Sequence, residues 1–396
     1  MRMNRLNRKM LKEKYGIDIW DEATTEAFQK TLLDWYDEEK RDLPWRRTSD
    51  PYKIWVSEIM LQQTQVMTVI PYYKRFLEKY PTVKDLAESN EDELLKVWEG
   101  LGYYSRVKNM RVAANQIMEQ FDGEFPSNPK NIQALKGIGP YTAGAISSIA
   151  FNLPEPAVDG NLMRVLARLF EIDLDVKKQS NRKVFEAVTR AIIDEDRPGD
   201  FNQALMDLGA TISTPKNYNP ELSPVKEFDR SYLNETWEKY PVSSKNKKAK
   251  PVTYFALIIK NQDGDYLLEK RPNKGLLANM WTFPLVSENQ LEKSDWKRIG
   301  QETYEVLNNT DIIMIQDITK ATYHVKTNLS NQINGVVTHV FSHLKWTIYL
   351  LDGVTNSVNL EIPDQCEWVS EDVIDDYVFP VVQQKMWQEY FKPTLF

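Results

Sequence analysis

The hydrophobic pattern of this chain changes period once along its length. From about Thr24 to Gly209, apolar residues recur at three- and four-residue spacing, broken by Gly, Pro and Asn, as in a series of amphipathic helices. After Pro251 the pattern becomes two-fold: VTYFALIIK, the turn NQDGD and YLLEKR read as a hairpin with Asp263-Gly264 at its tip. GVVTHVF and KWTIYLL add strands, and VVQQKMWQEYF reads as a helix. A helical period does not sit as a strand, so a single uniform layer of either kind is excluded. Residues 211–250 hold four prolines, no sustained period and the lysine-rich SSKNKKAK, a linker by composition. The expectation is multidomain: a basic, solvated arm over 1–23, an all-α domain over 24–230, a linker over 231–250 and an α+β domain over 251–396.

Composition narrows the chemistry. The single cysteine, Cys366, excludes a disulfide within the chain and any multi-cysteine metal site. His324, His339 and His343 have no zinc-like spacing. No apolar run approaches the roughly 20 residues that span a bilayer, so no membrane partner is expected, and the lone cysteine fits a reducing cytoplasm. A net charge of −7 weighs against a nucleic-acid partner, although a local basic face is compatible with it. Lys245, Lys247, Lys248 and Lys250 supply either such a face or a solvated linker.

Two carboxyl groups stand out. Glu58, in SEIMLQQTQV, lies among Trp55, Val56, Ile59 and Met60, where desolvation raises a carboxyl pKa and suits it to general-acid work. Asp159 lies at the head of the stretch LMRVLARLFEI, which Asn161 is placed to cap, and there the helix dipole favours an anion. Two carboxyls with pKa values pushed apart suit cleavage of a bond to a sugar carbon. Upstream, the Gly137-Ile138-Gly139 turn in LKGIGPYTAGA fits either a plain helix–helix connection or a phosphate site at a helix N-terminus.

LKGIGPYTAGA followed by VDGNLMRVLAR resembles the helix-hairpin-helix DNA glycosylases, with the hairpin at 131–147. PWR, SEIMLQQTQV, WEGLGYYSR and FNQALMDLGA narrow the resemblance to MutY-type adenine DNA glycosylases. LLEKRPNKGLLANMWTFP and FSHLKW resemble that family's Nudix-like lesion-recognition domain. The resemblance implies hydrolysis of the N-glycosidic bond of adenine mispaired with 8-oxoguanine or guanine in double-stranded DNA, by base flipping in a monomer at the bacterial-type nucleoid. It implies that Glu58 protonates the adenine, that Asp159 steadies the sugar cation, and that Tyr141 and Asn161 accompany them. Trp45, Arg46 and Gln203 match adenine contacts. Gln63, Thr64, Leu101 and Tyr103 match residues wedged into the duplex. Gly137, Gly139 and Tyr141 match a phosphate contact, and Phe341, Ser342 and His343 match the 8-oxoguanine reader. Tyr141 stands where bifunctional relatives carry a lysine nucleophile, which implies a monofunctional enzyme. SENQLEKSDWKRIGQETYEVL lacks the glutamate pattern of a Nudix hydrolase, which disfavours a nucleotide pyrophosphatase.

One departure matters. Most members of the family hold an iron–sulfur cluster on four cysteines, and the matching positions here are Ser213, Pro220, Ser223 and Asp229. No cluster and no other cofactor is therefore expected, with Tyr218, Leu222, Val225 and Phe228 as replacement packing. A catalytically weak lesion-binding protein is the alternative reading.

Overall fold

The helical period of the first half produces a run of short helices, each stopped by a glycine, proline or cap. A computed structural model describes residues 2–245, 248–291, 307–356 and 361–392. They divide into two compact units: 1–91 with 105–245, and 92–104 with 246–396.

The helices of the first unit are α1 (Arg2–Tyr15), α2 (Glu22–Glu39), α3 (Pro51–Leu61), α4 (Val66–Lys79) and α5 (Val83–Ala87). After α6 (Glu91–Val97) come α7 (Ser105–Gln120), α8 (Pro129–Ala134), α9 (Pro140–Phe151), α10 (Gly160–Leu169), α11 (Arg182–Ile192), α12 (Pro198–Thr211) and α13 (Arg230–Leu233). The apolar faces of α2, α10, α11 and α12 bury Phe28, Leu32, Leu166, Phe185, Phe201 and Leu205 in one core. Two expectations need correction. The basic arm is a helix, because Leu11 supplies a knob that the same core buries completely, and Ile17, Ile19 and Trp20 continue the seam. The expected linker over 231–250 is also largely structured: Ser231 is buried, Tyr240 packs on the core, and Val176 N–H donates to Val242 C=O at 3.0 Å.

The second unit is built on a seven-stranded sheet: β1 (Lys250–Lys260), β2 (Tyr266–Lys270), β3 (Trp281–Thr282), β4 (Leu285–Ser287), β5 (Asn328–Val340), β6 (Leu344–Val354) and β7 (Cys366–Val369). The order is β3-β2-β1-β6-β5, with β4 paired to β1 and β7 to β2. Among the described residues only β1 and β6 run parallel, in register from Lys250 with Leu344 to Lys260 with Val354. Central β1 is covered on both faces, which is why FALII is a continuous apolar run. Ala256 and Ile258 meet α15 (Val381–Tyr390) on one face, and Phe255, Leu257 and Ile259 meet α14 (Asn309–Tyr323) on the other. The hairpin expected at Asp263-Gly264 forms, with Gly264 at φ +89°. Residues 92–104 join this unit: Lys96 Nζ donates to the carbonyls of Asp375 (2.5 Å) and Tyr377 (3.1 Å), and Glu99 accepts from Phe379 N–H at 2.9 Å. Most of the segment compared with the Nudix metal-binding motif, 292–306, lies outside the described residues, as does Lys247.

Candidate active site

Helix α3 begins at Asp50, which caps the N–H of Tyr52 ahead of Pro51, and nearly all of its side chains are buried. Glu58 is therefore carried into apolar surroundings, 5% exposed, and its Oε2 has no hydrogen-bond partner. Burial raises its pKa to about 7; the Tyr141 hydroxyl counters the rise, nearby Asp159 adds to it and Arg46 opposes it. The far end of α3 is closed by a residue that sequence reading passed over. Arg106 of α7 donates from one nitrogen to the carbonyls of Ile59 (2.8 Å), Met60 (3.0 Å) and Gln62 (2.6 Å). Those are carbonyls a helix C-terminus otherwise leaves without partners.

Asp159 arrives on a loop held by close backbone approach. Any Cβ on Gly144 of α9 would lie 2.0 Å from the carbonyl oxygen of Pro156, so α9 rests directly on this loop. Buried Asn202 completes the support: its Oδ1 accepts from Ala157 N–H (3.1 Å), and its Nδ2 donates to Ser148 Oγ (3.0 Å) and Glu155 C=O (2.9 Å). The cap of α10 is Asp159 itself, not Asn161. Its Oδ1 accepts from Leu162 N–H at 2.7 Å and its Oδ2 from Asn161 Nδ2 at 3.0 Å. Arg164 orients Asn161 by donating to its Oδ1 at 2.7 Å. The expected depression of the Asp159 pKa is not found. Burial raises it, and the hydrogen bonds from Leu162 and Asn161 and the charge of Arg164 oppose that rise without reversing it. The two carboxyls thus differ in partners rather than in direction. A shared proton favours Glu58, whose Oε2 has no donor, over Asp159, whose charged form is held by two.

A pocket opens beside Glu58, lined among others by Trp45, Arg46, Tyr141, Gln203 and Met206. All three expected adenine contacts line it. Trp45 is held edge-on against Tyr73 at 5.5 Å, and Gln203 donates to Gly199 C=O at 3.3 Å. Arg46 is committed to an acid that sequence reading did not single out: Asp207 accepts from its two terminal nitrogens at 2.5 and 2.9 Å. The signal was present in FNQALMDLGA, where an aspartate four residues after Gln203 falls on the same face of α12.

The remaining expected residues fall in both units. In the first, Gln63 is exposed at φ +59° and Thr64 is half-buried. Gly137 sits at φ +79°, where a Cβ would also strike Asn109 at 2.8 Å. Gly139, exposed and with nothing within 4 Å of where a Cβ would be, is the N-cap of α9, and Tyr141 follows in the first turn of that helix. In the second unit, Tyr103 is 46% exposed but Leu101 only 5%, so a wedging role for Leu101 requires it to leave its seat. Phe341 lies edge-on against His339 (4.5 Å) and Trp346 (4.8 Å) at the β5–β6 turn, with Ser342 and His343 exposed beside it. Ser342 Oγ is 3.4 Å from the Tyr103 hydroxyl.

The four expected ligand positions, Ser213, Pro220, Ser223 and Asp229, are all buried, and a polar network of Arg168 and Tyr218 joins Ser213, Ser223 and Asp229. Arg168 donates to Ser213 Oγ at 2.7 Å and lies 4.0 Å from the centre of the Tyr218 ring. The Tyr218 hydroxyl donates to one Asp229 oxygen (2.9 Å), and Ser231 Oγ donates to the other (2.7 Å). Burial pushes Arg168 down to about 10, against the pull of Tyr218 and Asp229. Hydroxyls, a proline and a carboxylate around a guanidinium do not suit irons that bind thiolates. Of the expected packing residues, Val225 and Phe228 join the helical core, whereas Leu222 is 70% exposed and fills nothing.

Residues 56–190 match the model of the HhH-GPD superfamily of base excision DNA repair proteins, and residues 255–389 match a NUDIX domain. These matches, with the curated relatives below, identify a DNA N-glycosylase of base excision repair. Among curated relatives, adenine DNA glycosylases from Arabidopsis thaliana (35% identity over 90% of this chain and 63% of the relative) and Homo sapiens (31%, 93% and 75%) align across both units. The adenine DNA glycosylase of Buchnera aphidicola subsp. Baizongia pistaciae is 39% identical over 66% of this chain and 74% of its own length. The chain belongs to the adenine DNA glycosylase family.

Proposed function

We propose that the chain excises adenine from duplex DNA where it is mispaired with 8-oxoguanine or guanine, as a monofunctional glycosylase. The observation that carries the reading is a buried carboxyl poised near neutral pH in a pocket it shares with Arg46, Tyr141 and Gln203. Protonated Glu58 gives its proton to an adenine turned into that pocket, which lets the base depart uncharged. Ionised Asp159 stabilises the positive charge left on the sugar until water adds at the same carbon. Tyr141 has no amine with which to form a Schiff base, so the strand stays intact. The exposed Gly139 at the head of α9 offers a phosphate seat, and Phe341, Ser342 and His343 the 8-oxoguanine contact. On this reading the protein is an iron-free monomer that works at the nucleoid, in the cytoplasm, with the Arg168–Tyr218–Asp229 network in place of a cluster. Among the described residues no helix is long and apolar enough to cross a membrane.

Single-turnover excision on a duplex with adenine opposite 8-oxoguanine tests the reading. Wild type is expected to release adenine with the strand unbroken until alkali, and Glu58→Gln and Asp159→Asn to lose at least a hundredfold in rate. Binding without release by the wild type would instead identify a lesion-binding protein.

A further inference from the structure

Asp207 is 2% exposed and serves two guanidinium groups at once. Arg46 holds it through both terminal nitrogens, at 2.5 and 2.9 Å. Arg41 donates to it through Nε at 2.8 Å and through a second nitrogen. The backbone strengthens the arrangement, because Arg46 also donates to the Arg41 carbonyl at 3.3 Å, and the Tyr36 ring lies 5.5 Å from its guanidinium carbon. Arg46 and Arg41 line the base pocket and Asp207 does not. A buried carboxylate that touches no substrate yet grips a pocket arginine from two sides fixes where that arginine points. It also partly cancels the arginine's charge.

We propose that Asp207 is a positioning residue for adenine excision, which holds Arg46 against the base pocket and limits that arginine's pull on the Glu58 proton. The groups that act on Glu58 are Tyr141 and Arg46, which favour its ionised form, and Asp159, which disfavours it. Of these, only Arg46 is bonded to a counter-ion outside the pocket. Removing that counter-ion strengthens the attraction between Arg46 and an ionised Glu58. The acid then gives up its proton at lower pH, before a base has arrived to receive it. Removing Arg41 acts in the opposite sense, since Asp207 is then shared by one guanidinium rather than two.

The inference rests on Glu58 as the acid, and its test is the pH dependence of single-turnover excision for wild type, Asp207→Asn and Arg41→Met. In wild type the rate falls as pH rises through the Glu58 pKa. In Asp207→Asn that falling limb is expected about one pH unit lower, so that the loss relative to wild type is about tenfold larger above it than below. In Arg41→Met, which also removes a cation from the pocket lining, the limb moves upward. In an Arg46→Gln background, Asp207→Asn no longer moves it. A limb that stays in place in both single variants would overturn the proposal and leave Asp207 a packing residue. The 13C titration of the Glu58 carboxyl, assigned by its loss in Glu58→Gln, reads the same shifts without DNA. A wild type that releases no adenine therefore sinks the proposed function and still leaves this inference decidable.

Discussion

At the scale of single residues, the pocket is organised by competition between burial and partners. Glu58 and Asp159 are both pushed upward by burial, yet only Asp159 has donors on both oxygens. A rise in the Glu58 pKa from 4.5 to about 7 makes the folded chain bind more protons than the unfolded chain between those pH values. Its contribution to stability is therefore greatest below pH 4.5 and is lost as pH rises to about 7, on the order of 3 kcal/mol in all. Glu58→Gln should remove most of that loss. Urea unfolding at pH 5 and pH 8 is expected to show the variant gaining on wild type at the higher pH. Equal unfolding free energies for the two proteins at both pH values would count against a buried, raised Glu58. The apolar neighbours of Glu58 were legible in SEIMLQQTQV. The reversal at Asp159 was not, since a helix head predicts depression and only the surrounding protein supplies the desolvation.

At the scale of elements, two glycines of one helix do different work. Gly144 lets α9 lie on the loop that carries Asp159, because a Cβ there would meet the Pro156 carbonyl at 2.0 Å. Gly139, at the head of the same helix, has nothing within 4 Å of where a Cβ would be. Gly144→Ala is therefore expected to cost about 1–3 kcal/mol in thermal or denaturant unfolding and to depress excision further by displacing Asp159. Gly139→Ala should leave unfolding nearly unchanged and weaken duplex binding. Its salt-dependence slope should fall by roughly one phosphate contact. If Gly139→Ala bound DNA as well as wild type does, the turn would be a simple connection between helices. The hairpin itself was readable from Gly-Ile-Gly-Pro, since glycine and proline act through local backbone geometry. The contact at Gly144 was not, because it pairs a helix with a loop twelve residues further on.

At the scale of the whole molecule, the cluster positions raise the main question. Ser213, Ser223 and Asp229 are as buried as metal ligands would be, but they are bonded into a network of arginine, tyrosine and serine. Such a network needs no metal to satisfy its polar groups. Protein purified without oxygen is expected to be colourless, with iron well below one atom per chain by elemental analysis. Its denaturant midpoint should not change with a chelator. Stoichiometric iron with a visible absorbance band would refute this. The expectation of a solvated arm and linker failed for a related reason. Residues 1–23 and 231–245 look solvated by composition, but a few side chains, Leu11, Ser231 and Tyr240 among them, are captured by a core whose shape composition does not record.

The sequence by itself determined the two-part architecture, the stops between helices, the apolar setting of Glu58 and the missing thiolates. Each of these depends on residue type and on neighbours within a few positions along the chain. Only the tertiary structure decided that Asp207 grips Arg46, that Arg106 closes α3, that Asn202 carries the Asp159 loop, and that residues 92–104 join the sheet-bearing unit. Those pairings join residues 45 to 280 positions apart. A hydrogen bond or buried charge pair over such a distance is set by where helices pack, which local spacing does not encode.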